Sequence, residues 1–183
     1  MQELSMNVLD VAENSVAAGA TLVAITLSID TAAKRMTLTI TDNGKGMPPE
    51  MAARVTDPFC TTRKTRKVGL GIPLFKQAAL MAGGDFGIIS RQGEGTRIKA
   101  SFEINNIDRA PMGDLAGTIL GQVLSTPVTP DYRLLYAVED ASFEFDTREI
   151  RRQLEGVPLD APDVIAWMKD YLEEGIRELN GGA

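Results

Sequence analysis

The chain of 183 residues contains no histidine. That excludes an imidazole general base, a Ser-His-Asp or Cys-His nucleophilic device, a histidine metal site and a phospho-accepting histidine of its own. It contains one cysteine, Cys60, so an intrachain disulfide and a multi-cysteine zinc or iron–sulfur centre are impossible. No apolar run approaches the ~18 residues needed to span a bilayer, and no membrane association is expected. The opening Met-Gln-Glu-Leu-Ser-Met is polar and lacks the basic-then-apolar pattern of a signal peptide, so a cytoplasmic protein is expected. Positive charge is in deficit, with 19 Lys and Arg against 25 Asp and Glu. The resulting net charge of −6 argues against a general nucleic-acid binder, which needs a net basic face.

What remains is ordinary globular composition, at a length that fits one domain or one domain with an appendage. Leu4, Val8, Val11 or Ala12, and Ser15 recur at spacings of three and four, predicting a helix over 4–18 that Gly19 ends. Asn7, Asp10 and Asn14 form a polar stripe beside that apolar one. Alternation of Val23, Ile25, Leu27 and Ile29, then of Met36, Leu38 and Ile40, predicts a hairpin of strands over 21–30 and 35–41. A short helix opened by Pro48 and Pro49 follows, then a basic loop over 56–68, and a helix over 69–82 between glycines. Strands are expected over 85–90 and 96–104. A boundary falls at 105–112, and beyond it the pattern gives a helix over 113–125 and a hairpin of 132–138 with 142–146. A short helix over 147–154 and a last helix capped by Asp160 complete the chain. Trp167 and its apolar neighbours are expected in a core or an interface.

Five short segments carry chemistry. Asp10 and Asn14 lie one helical turn apart and point the same way. The amide oxygen can help hold a hard cation such as Mg²⁺, and the carboxylate can accept a proton from water or a hydroxyl. Alone, the pair reads as a solvated polar face. Asp42-Asn43-Gly44-Lys45-Gly46-Met47 follows a strand directly. Its glycines allow close approach to a flat ligand, and Asp42 can accept from an exocyclic amine; ordinary turn chemistry explains it equally well. Asp57-Pro58-Phe59-Cys60-Thr61-Thr62-Arg63 runs into Lys64, Arg66 and Lys67, a basic cluster suited to an anion or to a solvated loop. Cys60 reads as a small side chain in that turn. Gly69-Leu70-Gly71-Ile72-Pro73 opens a helix and would present N–H groups to phosphate. Gly93-Glu94-Gly95-Thr96 is a turn between strands whose threonine hydroxyl can bridge to a base through water.

Taken in order over residues 4–104, these segments resemble the N box, the first glycine box, the F box and the second and third glycine boxes of the GHKL superfamily. That superfamily comprises histidine kinases, gyrase, the Hsp90 chaperones and mismatch-repair ATPases. The resemblance implies the Bergerat fold, an α+β two-layer sandwich with helices on one face of a mixed, mostly antiparallel sheet. It implies an ATP-binding domain over 1–106, with residues 107–183 as a helix–hairpin–helix extension packing on it or on a partner. It further implies that Asn14 binds Mg²⁺, Asp42 the adenine amine, and Gly44, Gly46 and Met47 the base. Gly69, Leu70 and Gly71 would meet phosphates, Thr96 would sit near Asp42, and Asp10 would be the catalytic base. Histidine kinases often carry a basic residue three or four places after the N-box Asn; Ala17 and Ala18 stand there, and Arg63, Lys64 or Lys67 would substitute.

The stretch from Glu13 to Thr21 is closer to the mismatch-repair branch, and that from Asp57 to Leu74 to the histidine-kinase branch. The short stretch between F box and second glycine box implies a small ATP lid. Strands usually precede the N-box helix in the family; here the 132–146 hairpin is expected to complete the sheet or to pair with another chain. The whole chain is also similar to small stand-alone bacterial members. ATP and Mg²⁺ are the implied cofactors, with an acceptor or regulatory protein as partner and a homodimer as an option. The implied activity is a kinase acting in trans, with an ATP-driven switch of slow hydrolysis and a non-catalytic nucleotide sensor as the alternatives. An acid four residues before the N-box Asn resembles the GHKL serine kinases, and a carboxylate there suits a hydroxyl acceptor, which must lose a proton on attack.

Overall fold

The computed structural model describes residues 3–57, 59 and 69–181. Its described elements are α1 (Leu4–Ala17), β1 (Leu22–Asp30), β2 (Arg35–Asp42), α2 (Pro49–Arg54), α3 (Gly71–Met81), β3 (Phe86–Arg91) and β4 (Gly95–Glu103). They continue with α4 (Leu115–Ser125), β5 (Asp131–Val138), β6 (Ala141–Asp146), α5 (Thr147–Leu154) and α6 (Pro162–Leu179). The strands form one six-stranded sheet in the order β3-β4-β2-β1-β5-β6. All neighbours are antiparallel except β1 and β5, which run parallel from Leu22 opposite Asp131 to Ile29 opposite Val138. This is the mixed, mostly antiparallel α+β sandwich that the family resemblance implied.

Period-two alternation sorts the sheet into two faces. Val23, Ile25 and Leu27 of β1, Leu38 and Ile40 of β2, Ile98 and Phe102 of β4 and Leu134 of β5 are buried on one face. The helices cover that face: α1 touches α3 and α4, and α4 touches α6. The opposite face carries Thr26, Thr37, Thr39, Arg97 and Lys99. Phe75 anchors α3, its ring edge-on to Phe86 at 5.8 Å and stacked on Phe102 at 6.3 Å. Burial of a side chain of that size contributes about 1.5–3 kcal/mol. None of the described helices is long and apolar enough to cross a membrane.

Two local expectations change. Asn7, part of the polar stripe in sequence, is buried with the apolar face of α1. The last helix is not capped by Asp160: its N-cap is Ala161, with Pro162 opening the first turn and no side-chain cap. Proline's fixed φ and missing N–H suit that position and reduce what a cap can supply. Trp167 is half-exposed, its ring stacked on Tyr171 at 5.0 Å.

Asp146 ends β6 and caps α5, accepting from the Arg148 N–H at 2.9 Å and from the Arg148 Nη2 at 2.6 Å. The hydrogen-bonded guanidinium holds the Asp146 carboxyl below the usual carboxylate range, against the opposing effect of burial. Its stabilisation is therefore complete above about pH 4 and is lost as pH falls through the lower folded value. Asp146→Ala is expected to cost about 1–2 kcal/mol at neutral pH, and thermal melts should show the deficit narrowing below about pH 4.

Candidate functional site

Helix α1, the β2 terminus and the β3–β4 hairpin enclose a cavity of about 770 Å³. Its walls include Val11, Met47, Met51, Val55, Ile72 and Ile98, and its polar groups include Asn14, Ser15, Asp42, Lys45 and Thr96. An apolar slot with a few convergent polar groups suits a flat, partly polar ligand.

Asp42 forms the centre of the polar end. Its Oδ2 accepts from the Ser15 hydroxyl at 2.7 Å and its Oδ1 from the Gly44 N–H at 2.8 Å. Both oxygens are thus oriented from within the protein. Each carboxylate oxygen has a further lone pair for an external donor. Thr96 lies opposite Asp42 across the β2–β4 ladder. Its hydroxyl pairs with that of Ser90 at 2.8 Å, and Ser90 also accepts from the Met47 N–H at 2.8 Å. One serine thereby ties the turn after β2 to the strand that carries Thr96.

The turn after β2 is fixed from three sides. The Asn43 side chain accepts from the Thr21 and Leu22 N–H groups at 2.8 and 3.0 Å. The Lys45 N–H donates to the Ala18 carbonyl at 2.9 Å, and the Lys45 carbonyl accepts from Gly93 at 2.7 Å. Gly46 has φ +64°, and a Cβ there would collide with the Arg91 carbonyl. Gly95 has φ +121°, and a Cβ there would collide with the Asp42 carbonyl. Both positions require glycine for two reasons, left-handed backbone and lack of space.

At the other end, Gly69 lines the cavity and Gly71 begins α3, whose N-terminal N–H groups carry no side-chain cap. A Cβ on Gly71 would lie 2.7 Å from the Asp10 Cβ and 3.3 Å from its Oδ2, so Asp10 sits beside the start of α3. Asn14 lines the cavity one turn along α1. Among the described residues no cluster of three His, Cys, Asp or Glu could hold a metal alone. Asp10 and Asn14 suit a hard cation that keeps waters and takes its remaining oxygens from phosphates.

Of the residues singled out in sequence, Asn14, Asp42, Gly46, Met47, Gly69 and Thr96 line one cavity. Asp10, Gly44 and Gly71 lie next to lining residues, and half-exposed Leu70 is the N-cap of α3. Arg63, Lys64 and Lys67 lie outside the described residues, as does Cys60. Sequence reasoning missed Ser15, Ser90 and Lys45. The first two had a signal: each is a hydroxyl standing in an otherwise apolar stripe, Leu4-Val8-Val11-Ser15 on α1 and Phe86-Ile88-Ser90 on β3.

The chain is similar to several known proteins. An NtrY-like sensor histidine kinase of Rickettsia conorii is 30% identical over 108 residues, 59% of this chain and 18% of that one. Sporulation kinase D of Bacillus subtilis is 31% identical over 81 residues, 44% of this chain and 16% of that one. The chain therefore spans less than a fifth of the length of these relatives. The crystal structure of the N-terminal domain of a DNA repair protein shares the fold, with a TM-score of 0.56 at 12% identity over 80% of this chain and 52% of that one. The family model of the histidine kinase-, DNA gyrase B- and HSP90-like ATPases matches residues 1–106. Residues 1–106 make up more than half of the chain and hold the described cavity, and the chain belongs to that ATPase family.

Proposed function

We propose that the cavity binds ATP with Mg²⁺ and that the chain is a protein kinase whose phospho-acceptor lies on another protein. The observation that carries the nucleotide reading is Asp42, its carboxylate oriented by Ser15 and Gly44 in the wall of a largely apolar cavity. In this reading Asp42 accepts from the adenine amine, with Gly44, Gly46 and Met47 along the base and Thr96 beside Asp42. The phosphates reach Gly69, Leu70 and Gly71 at the α3 N-terminus, where exposed N–H groups and the helix dipole favour anions. Asn14 holds Mg²⁺, which when bound neutralises phosphate charge. Arg63, Lys64 and Lys67 are the proposed further phosphate contacts.

Asp10 lies beside the start of α3 and one turn from Asn14, where it can take a proton from an attacking hydroxyl. The bond formed joins that oxygen to the γ-phosphorus, the bond broken is the β–γ bridge, and the proton passes to Asp10. Water in place of the hydroxyl gives slow hydrolysis, the switch-like alternative. A histidine acceptor would have to stand outside these 183 residues, which contain none. We also propose residues 1–106 as the nucleotide-binding unit and 107–183 as an extension built onto its sheet; the β1–β5 pairing supports the packing of that extension on the unit.

The test is calorimetric titration with ATP, with and without Mg²⁺, followed by phosphate release in the same sample. Mg²⁺-dependent binding is expected, and Asn14→Ala should abolish the Mg²⁺ dependence while leaving the fold intact. Absence of binding would refute the nucleotide reading.

A further inference from the structure

We infer that the β3 edge of the sheet is a dimer interface, at which β3 pairs antiparallel with β3 of a second copy about a two-fold axis at Ile88. The two ends of the sheet differ. At one end α6 lies against β6, and the Tyr171 hydroxyl donates to the Glu144 carbonyl at 3.0 Å. At the other end β3 pairs with β4 alone among the described residues. An unpaired edge offers a row of N–H and C=O groups to another strand. Helix α2 also touches β3, but from the covered face, where Met51 lines the cavity with Ile98.

The ladder fixes which groups face outward. Residues of an antiparallel strand alternate between bonding the opposite strand and turning away from it. The Ser101 N–H donates to the Asp85 carbonyl at 2.8 Å, and on the far side of β4 the Ile104 N–H donates to the Lys34 carbonyl at 3.0 Å. Odd-numbered residues of β3 therefore bond β4, and the N–H and C=O groups of Phe86, Ile88 and Ser90 point to the open edge.

The side chains select a second copy of this chain and one register. Asp85 and Arg91 stand three residues to either side of Ile88, and Gly87 and Ile89 stand one residue to either side. All four are exposed. Pairing about Ile88 sets Asp85 opposite Arg91 of the second copy and Ile89 opposite its Gly87, and the two-fold axis repeats both contacts. Ile89 is 64% exposed and a Cβ on Gly87 would meet nothing within 4 Å, so each isoleucine has space over the facing glycine. Among the described ion pairs Asp85 has none, and Arg91 reaches Glu94 at 3.6 Å with both side chains largely exposed. Opposite charges and apolar groups facing each other across two strands stabilise the pairing. Neighbouring registers lose this match. An axis at Gly87 would set Asp85 opposite Ile89 and glycine opposite glycine. An axis at Ile89 would set Arg91 opposite Gly87 and isoleucine opposite isoleucine.

Sedimentation velocity on the full chain without nucleotide is the test, so its failure leaves the nucleotide reading untouched. The parent should be dimeric at roughly 100 μM. Asp85→Arg and Arg91→Asp each set like charges opposite one another at both ends of the paired strands. Each should raise the dimer dissociation constant at least about tenfold with an unchanged circular dichroism spectrum. Mixed in equal amounts, the two variants should regain dimerisation as a heterodimer, because every facing pair is then of opposite charge. The double variant, Asp85→Arg with Arg91→Asp, should dimerise by itself. A parent that stays monomeric at that concentration would overturn the inference. So would single variants that dimerise as the parent does, or a mixture that stays monomeric.

Discussion

Asp42→Asn is expected to weaken ATP binding by roughly 30- to 700-fold, the equivalent of about 2–4 kcal/mol. Three donors converge on this carboxylate in the proposed complex: the Ser15 hydroxyl, the Gly44 N–H and the base amine. The first two are present in the structure at 2.7 and 2.8 Å. An amide offers one oxygen where the carboxylate offers two, so its NH₂ must face at least one donor. The loss thus combines a missing charge-assisted bond with a donor left unpaired in a partly buried site. Thermal stability should change far less than affinity, because Gly44 and Ser15 can share the remaining oxygen. Calorimetry on Asp42→Asn decides the matter: affinity within threefold of the parent (under ~0.7 kcal/mol) would remove Asp42 from the base site.

Asp10→Asn is expected to spare ATP binding and to cut turnover by about 10²–10⁴-fold, the usual contribution of a positioned general base. The substitution is isosteric and removes the ability to take a proton together with the negative charge. Asp10 sits against Gly71, where a Cβ would come within 2.7 Å of the Asp10 Cβ, so the carboxyl is confined to the start of α3. That placement puts it where the terminal phosphate of a bound nucleotide would lie in the proposed complex. Phosphate release and transfer to a hydroxyl-bearing acceptor should fall together. Turnover that persists in Asp10→Asn, with binding intact, would show that the base is another group or that none is needed.

Local periodicity made most of the fold legible. The alternation of Val23, Ile25 and Leu27 and of Ile98, Ala100 and Phe102 gave strands and their buried faces, because one side of the sheet is covered and the other is not. Asp42, Thr96 and the glycines converge because strand ends and the turns between them carry them, and short spacings reveal such turns. Pairing was less legible. Nothing in the 132–146 stretch says whether it joins this sheet or another chain, since the partner of β5 lies far away in sequence and alternation is the same in both cases. Asn7 misled for a related reason: helical spacing places residues on a stripe but does not say how wide the buried stripe is. Ser15 and Ser90 went unassigned because a hydroxyl in an apolar row is ambiguous until its partners, Asp42 and Thr96, are in place.

The parallel pairing of β1 with β5 also sets an order of events at the ribosome. β1 meets β2 through a short turn, but its other edge waits for Asp131–Val138, about a hundred residues later. At a synthesis rate of about 5–20 residues per second, that edge stays open for roughly 5–20 s of each chain's life. An unpaired strand edge is a template for pairing between nascent chains. The polar and threonine-rich outer positions of β1 and β2, Thr26, Ser28, Thr37 and Thr39, temper that hazard by keeping one face of the waiting hairpin wettable.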